Sequence, residues 1–233
     1  MDGEFGLGRA ARNRQKEIFG SRYGDLSSRI SDVIESTISF SGSYKNYCVC
    51  MVDVANSTYD TAKLTNGKAC KYYSIFLNSM ATIAKEFGAE VVKNLGDSLL
   101  YYFPRTSSND KEAFIASLEC GMMMIEQRAL VNTKMLEEGL PSVNYRISGD
   151  YGTVLLARSV SSYGDDIFGS PVNMCTKINP KAPLNGMIIG GDLHQIVKSL
   201  KKYRFESTSA FSVGFTFRYP LYSVVRNKED RWF

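Results

Sequence analysis

Residues Tyr47 to Val54 read Tyr-Cys-Val-Cys-Met-Val-Asp-Val, an almost uninterrupted apolar run rich in β-forming residues. Such a run predicts a central strand, because a strand with one wet face would alternate apolar and polar positions. It ends on a carboxylate, Asp53. An ionised Asp in a dry environment is costly unless it is paired or coordinates a cation, so Asp53 has to meet a base, a cluster of amides or a metal. The polar turn Ala55-Asn56-Ser57-Thr58 follows, and then a helix. The chain has 233 residues, 44% of them hydrophobic, 22% charged and only six prolines, the make-up of one ordinary globular domain plus an arm.

The formal charge of +4 is small and scattered, with no domain-sized basic stripe, which argues against a nucleic-acid partner and leaves an anionic small ligand open. The longest apolar stretches, Tyr47 to Val54 and Ala113 to Ile125, fall short of the roughly 20 residues a membrane span needs, so no transmembrane segment is expected. No charged-then-apolar leader opens the chain. The five cysteines, Cys48, Cys50, Cys70, Cys120 and Cys175, are odd in number, include no CxxC and sit mostly in apolar runs, as reduced core residues of a cytoplasmic protein do. The single histidine, His194, cannot build a His-based metal site and reads as a surface or half-buried helix residue.

Residues 1–45 read as an N-terminal helical arm, with Leu26, Ile30, Val33, Ile34 and Ile38 at helical spacing. Residues 46–226 form the main domain and residues 227–233 a tail. Within the domain a helix from Lys68 to Phe87, stopped by Gly88, places Tyr72, Ile75, Phe76, Met80, Ile83 and Phe87 on one face. Ala89 to Leu95 and Ser98 to Phe103 form a hairpin around Gly96-Asp97, and a long helix runs from Asp110 past Leu130. Val143 to Ile147 and Gly152 to Ala157 read as separate strands, and Asp165 to Phe168 as a turn feeding a helix opened by Gly169-Ser170-Pro171. A strand at Met187 to Ile189, a helix near Leu193 to Leu200 and strands around Tyr203 to Glu206, Phe211 to Phe217 and Leu221 to Val225 complete the domain. Strands and helices alternate without a strict βαβ repeat, which indicates an α+β fold.

Three local features carry chemistry. If neighbouring strands bring Asp53 and Asp97 together, two carboxylates converge, and such hard oxygen ligands suit Mg²⁺ held together with substrate phosphates. Taken singly each has a common structural use, Gly-Asp as a turn and a strand-end Asp as a helix cap. The third feature is the helix that carries Asn173 and Lys177 four residues apart on one face, where an amide beside a cation can bind phosphate or sugar oxygens.

Together these features resemble the class III nucleotidyl cyclases. Asp53-Val54-Ala55-Asn56-Ser57-Thr58 is similar to that family's strand-end Asp-Ile-x-Gly-Phe/Ser-Thr motif, Val92-Lys93-Asn94-Leu95-Gly96-Asp97-Ser98 to its Lys-Thr-Ile-Gly-Asp hairpin, and Asp166-Ile167-Phe168-Gly169-Ser170-Pro171-Val172-Asn173 to its Asp-Ile-Trp-Gly-x-x-Val-Asn segment. Arg146-Ile147 with Gly152-Thr153-Val154, and Tyr219-Pro220-Leu221-Tyr222-Ser223-Val224, resemble two further strands, so the likeness spans about Tyr47 to Val225. Three ordered motifs are far more specific than one.

The resemblance implies a ferredoxin-like sandwich core, a mixed and mainly antiparallel sheet with covering helices, working as a head-to-tail homodimer with composite sites. By matching position, Asp53, Asp97 and the Val54 carbonyl would hold two Mg²⁺ or Mn²⁺ ions, Lys93 and Asp166 would read the base, and Asn173 would orient the ribose. The implied activity is adenylate cyclase, with ATP as substrate. The family usually has Arg where this chain has Lys177 and Lys where it has Val213, and often Gly at Asn56; Asn tolerates positive φ well. Other readings are a cyclase for GTP or a pyrimidine triphosphate, a degenerate nucleotide-binding regulatory domain, and a nucleotidyl transferase of the polymerase-palm type, against which the Asp166–Asn173 segment counts.

Overall fold

In the computed structural model, β1 (Ile38–Val54) is the centre of the domain, hydrogen-bonded antiparallel to β3 (Ser98–Phe103) on one side and to β4 (Tyr145–Ser159) on the other. The structure describes residues 38–159, 165–211 and 218–227. Cys48, Val49, Cys50 and Val52 are fully buried, as the apolar run requires. The strand starts at Ile38, so residues 38–45, read from the sequence as the end of the arm, belong to the sheet. The rest of the arm, Val213 with the late strand around it, and the tail beyond Asn227 lie outside the described residues.

After β1 come α1 (Ser57–Thr61) and α2 (Asn66–Glu86), then the β2 (Glu90–Leu95) and β3 hairpin, α3 (Lys111–Glu126) and α4 (Arg128–Glu137), and β4. The sheet order β2-β3-β1-β4 with helical crossovers is the ferredoxin-like arrangement that the resemblance implies. It is extended by β6 (Met187–Gly190), parallel to β4, and by the antiparallel β8 (Tyr219–Arg226) and β7 (Tyr203–Phe211), while β5 (Asp165–Gly169) pairs with the far half of β4. The remaining helices are α5 (Ser170–Ile178) and α6 (Gly191–Val197). Among the described residues no helix is long and apolar enough to cross a membrane.

The faces of the sheet are covered unequally. On one, Tyr72, Phe76 and Met80 of α2 and Phe114, Leu118 and Met124 of α3 pack onto Cys48, Cys50, Val52 and Tyr101 in one large core. On the other, Tyr47, Val49, Met51, Leu100 and Tyr102 pack with Val154, Ile167 and Cys175, with Val172, Val92 and Leu156 at the margin, and a separate small cluster sets Met174 and Ile178 of α5 on Ile188, Tyr219 and Leu221. All five cysteines are free thiols, with Cys70 exposed and the rest buried. His194 is half-buried, its ring stacked on Tyr222 at 3.6 Å between centroids.

Three local expectations are corrected. The helix from Asp110 ends at Glu126 and a second begins at Arg128, turning Val131 and Met135 to the core and leaving Leu130 66% exposed. The gap expected between Ile147 and Gly152 is absent, because Gly149 has no Cβ where Cys50 and Leu193 press in, and the Asp150 carboxylate finds donors. Asp165 to Gly169 is a strand instead of a turn, laid against Val154–Arg158; Gly169, at φ 156°, lies where any Cβ would meet the Thr153 carbonyl oxygen at 2.4 Å.

Asp150 is 2% exposed and accepts hydrogen bonds from the Tyr219 hydroxyl at 2.9 Å and from the Tyr151 N–H at 2.9 Å. Burial pushes its pKa up to about 7, partly opposed by those donors and aided by the nearby Asp192 charge. The folded state therefore keeps a proton that the unfolded chain releases at its ordinary value of 3.8, so stability falls as pH rises between the two. Asp150→Asn keeps the shape and one acceptor. We expect it to raise the unfolding temperature by a few degrees at about pH 8 and to change it little near pH 4, followed by circular dichroism. Parallel pH profiles for variant and wild type would show that another group titrates.

Candidate active site

The end of β1 sets Asp53 between two partners fixed by register, Ser98 of β3 on one side and Arg146 of β4 on the other. The Ser98 hydroxyl donates to Asp53 Oδ1. The chain leaves β1 through Asn56, whose φ of 64° makes the sharp turn into α1, as its tolerance of positive φ predicts. That turn delivers Ser57, whose hydroxyl donates to Asp97 Oδ2 at the tip of the β2–β3 hairpin. Each carboxylate is thus held by the serine that belongs to the other's motif.

Two like charges this close, both partly withdrawn from water, need compensation. Burial raises the Asp53 pKa, the Ser98 hydrogen bond opposes it, the Asp97 charge adds to it and the Arg146 guanidinium offsets it. Arg146 Nε is buried with no hydrogen-bond partner among the described residues. Among the described residues no three His, Cys, Asp or Glu side chains cluster into a metal site. A cation here would therefore take two carboxylates and complete its shell with backbone and ligand oxygens. This hard, all-oxygen and under-filled set fits Mg²⁺ or Mn²⁺.

Lys93 and Asp166 meet on the thinly covered face. The sheet curls so that β5 reaches β2, and Lys93 Nζ lies 2.6 Å from Asp166 Oδ1 and 2.8 Å from Oδ2. The pair is half open to solvent, with side-chain exposures of 40% and 21%. Phe168, 39% exposed, follows two residues after Asp166 on the same strand face, and Leu95, 41% exposed, two after Lys93. Asn173 and Lys177 are both exposed on α5, while Pro171, Met174, Cys175 and Ile178 face inward.

The structure thus brings Asp53 to Asp97 and Lys93 to Asp166, and leaves Asn173 and Lys177 facing solvent. Sequence reasoning did not single out Ser57, Ser98 or Arg146 as site residues, although Ser57 and Ser98 lie inside the quoted motifs. Only the strand register reveals what they touch.

Strand order and crossovers give this chain the fold of the class III nucleotidyl cyclase domains. The adenylyl cyclase CyaB from P. aeruginosa superimposes with a TM-score of 0.73 at 18% identity over 82% of this chain and 98% of its own. The guanylyl cyclase Cya2 does so with a TM-score of 0.73 at 17% identity, over 81% and 96%. The guanylate cyclase domain of RhGC from Catenaria anguillulae, in complex with GTP, gives a TM-score of 0.68 at 16% identity, over 80% and 100%. In sequence, a cytidylate cyclase from Staphylococcus aureus is 25% identical over 167 residues, 69% of this chain but only 40% of that protein's length. No protein-family model matches the chain.

Removing one carboxylate-holding hydroxyl tests the arrangement. Hydrogen bonds to charged groups contribute about 1.5–3 kcal/mol, so Ser98→Ala should weaken Mn²⁺ binding by roughly tenfold or more in calorimetric titration, with the fold intact. Unchanged affinity would show that Asp53 needs no such support.

Proposed function

We propose that this chain is a nucleotidyl cyclase that closes a nucleoside triphosphate into its 3′,5′-cyclic monophosphate, releasing pyrophosphate, and that it works as a head-to-tail homodimer. The observation that carries this reading is the convergence of Asp53 and Asp97, each oriented by a serine hydroxyl. In the reaction the ribose 3′-oxygen loses its proton and bonds to the α-phosphorus, while the bond from that phosphorus to the α,β-bridging oxygen breaks. Asp53, Asp97 and the Val54 carbonyl would hold two Mg²⁺ or Mn²⁺ ions, which supply charge neutralisation at the triphosphate and acidify the attacking hydroxyl. Arg146 offers its guanidinium to phosphate oxygens beside Asp53. Asn173 orients the ribose, and Lys177 offsets negative charge developing on the reacting phosphate. Asn173 and Lys177 are exposed on α5, as a composite site completed by a second copy would require.

Lys93 and Asp166 supply a donor and an acceptor side by side, complementary to a base edge with a ring nitrogen next to an exocyclic amine. Adenine and cytosine present an acceptor ring nitrogen beside a donor exocyclic amine; guanine and uracil present the same two kinds of group in the reverse order, a ring N–H beside an exocyclic carbonyl, so Lys93 facing the ring position and Asp166 the exocyclic one would favour the former. ATP is the substrate we propose. CTP is the second reading, favoured by the cytidylate cyclase relative and by the shared edge chemistry.

The decisive experiment offers ATP, CTP, GTP and UTP in turn with Mn²⁺ and identifies the product by mass. A cyclic product from ATP or CTP is expected, abolished by Asp97→Asn and regained when that variant is mixed with Asn173→Ala, since each mixed dimer keeps one intact site. Preference for GTP or UTP would sink the base assignment, and inactivity with all four would leave a nucleotide-binding module.

Lys177 is a point charge where an arginine would give a planar fork. Lys177→Ala is expected to lose about a hundredfold in turnover, the usual cost of one transition-state donor, with little change in nucleotide affinity, while Lys177→Arg stays active. Equal turnover for Lys177→Ala and wild type would make Lys177 only a solvated helix residue.

A further inference from the structure

Where α5 ends, Asn179 is 2% exposed beneath it. Its amide nitrogen donates to the Arg146 carbonyl at 3.1 Å and to Ser148 Oγ at 3.2 Å on β4, and reaches the Met51 carbonyl on β1 at 3.4 Å. Ser148 Oγ in turn donates to the Cys175 carbonyl within α5 at 2.9 Å, and the Cys175 thiol donates to the Val49 carbonyl at 3.1 Å. Only a donor can face two carbonyl oxygens, so the orientation of the amide is fixed even though its Oδ1 has no partner among the described residues. Met51 stands two residues before Asp53, the Arg146 carbonyl belongs to the residue flanking Asp53, and Lys177 stands two residues before Asn179.

We propose that Asn179 is a positioning residue: its buried amide, with Ser148, fixes the α5 helix that carries Asn173 and Lys177 against the strand ends that carry Asp53 and Arg146. The inference rests on the cyclase reading, and it adds a link that reading does not contain. In a head-to-tail dimer, β1 of one protomer serves one site and its α5 serves the other. Asn179 then joins the two sites through the body of a single chain, without touching nucleotide in either.

Asn179→Asp keeps the volume but turns a carboxylate toward two carbonyls when ionised, and offers a single O–H donor when protonated. Misplacement of about 1 Å in a positioning group costs up to ~100-fold in rate, so kcat should fall roughly tenfold or more at about pH 8, with KM for the triphosphate little changed. Part of the loss should return near pH 6 relative to wild type, as the carboxyl protonates. Ser148→Ala, which removes the hydroxyl shared by Asn179 and Cys175, should show a smaller fall of the same pattern, and carries the test if Asn179→Asp does not fold. Amide hydrogen exchange by mass spectrometry should quicken in α5 and around Met51 in both variants while α3 stays as in wild type.

Wild-type kcat per folded molecule in either variant overturns the proposal. So does a fall that appears in KM alone. Inactive wild type with every triphosphate, alongside the expected exchange pattern, is the distinct outcome in which the cyclase reading itself fails.

Discussion

Everything at the candidate site follows from putting a carboxylate at the end of a strand whose last stretch, from Tyr47, is buried on both faces. Because β1 is walled by β3 and β4, Asp53 can be satisfied only from those neighbours, and the register supplies a hydroxyl from Ser98 and a cation from Arg146. The same register brings the β2–β3 hairpin tip, and so Asp97, to that end of the sheet. The resulting excess of negative charge over donors distinguishes this from a capping aspartate, whose demand is met by local amides. It leaves a place with unfilled demand for positive charge.

The unequal covering of the sheet gives that place its surroundings. Three long helices close one face with a thick apolar layer, and their job is mechanical: they hold β1 and β3 in register. The opposite face has a thin layer under α5 and β5, and there the polar equipment collects, with Lys93 and Asp166 at one margin and Asn173 and Lys177 on the outer side of α5. A protein needs only one thick core to be stable, so the second face is free to carry chemistry.

Much of this was legible in the sequence. The apolar run marked β1, the Gly96-Asp97 pair marked the hairpin, and Asp53, Asp97, Lys93 and Asp166 stood out because each sits within a short motif whose order is distinctive. Ser98, Arg146 and Asn179 were not legible as partners, since their roles are set by cross-strand register and contacts between residues 31 to 128 positions apart. Asp150 was missed for a related reason: an Asp after a Gly reads as a turn, and only the arrival of Tyr219 from β8 makes it tolerable inside the sheet. The sequence of the Asp165–Gly169 strand reads as a turn because its partner is the outer half of β4, whose length is invisible until Gly149 and Asp150 are known to continue the ladder.

Among the described residues β2 and β7 end the main strand order and β5 pairs on one side only; the ladders of β2 and β7 are irregular. The ladder of β2 slips between Val91 and Lys93, and that of β7 between Thr208 and Phe211. Lys93 on the first is drawn out of line to Asp166, and Arg204 and Glu206 on the second pair with each other at 2.7 Å. A bulged, charged margin is a poor template for a further strand. Addition of a further strand at the β2 or β7 margin is therefore disfavoured, and a contact made there would fall to side chains, where a mismatch weakens an association instead of seeding a fibre.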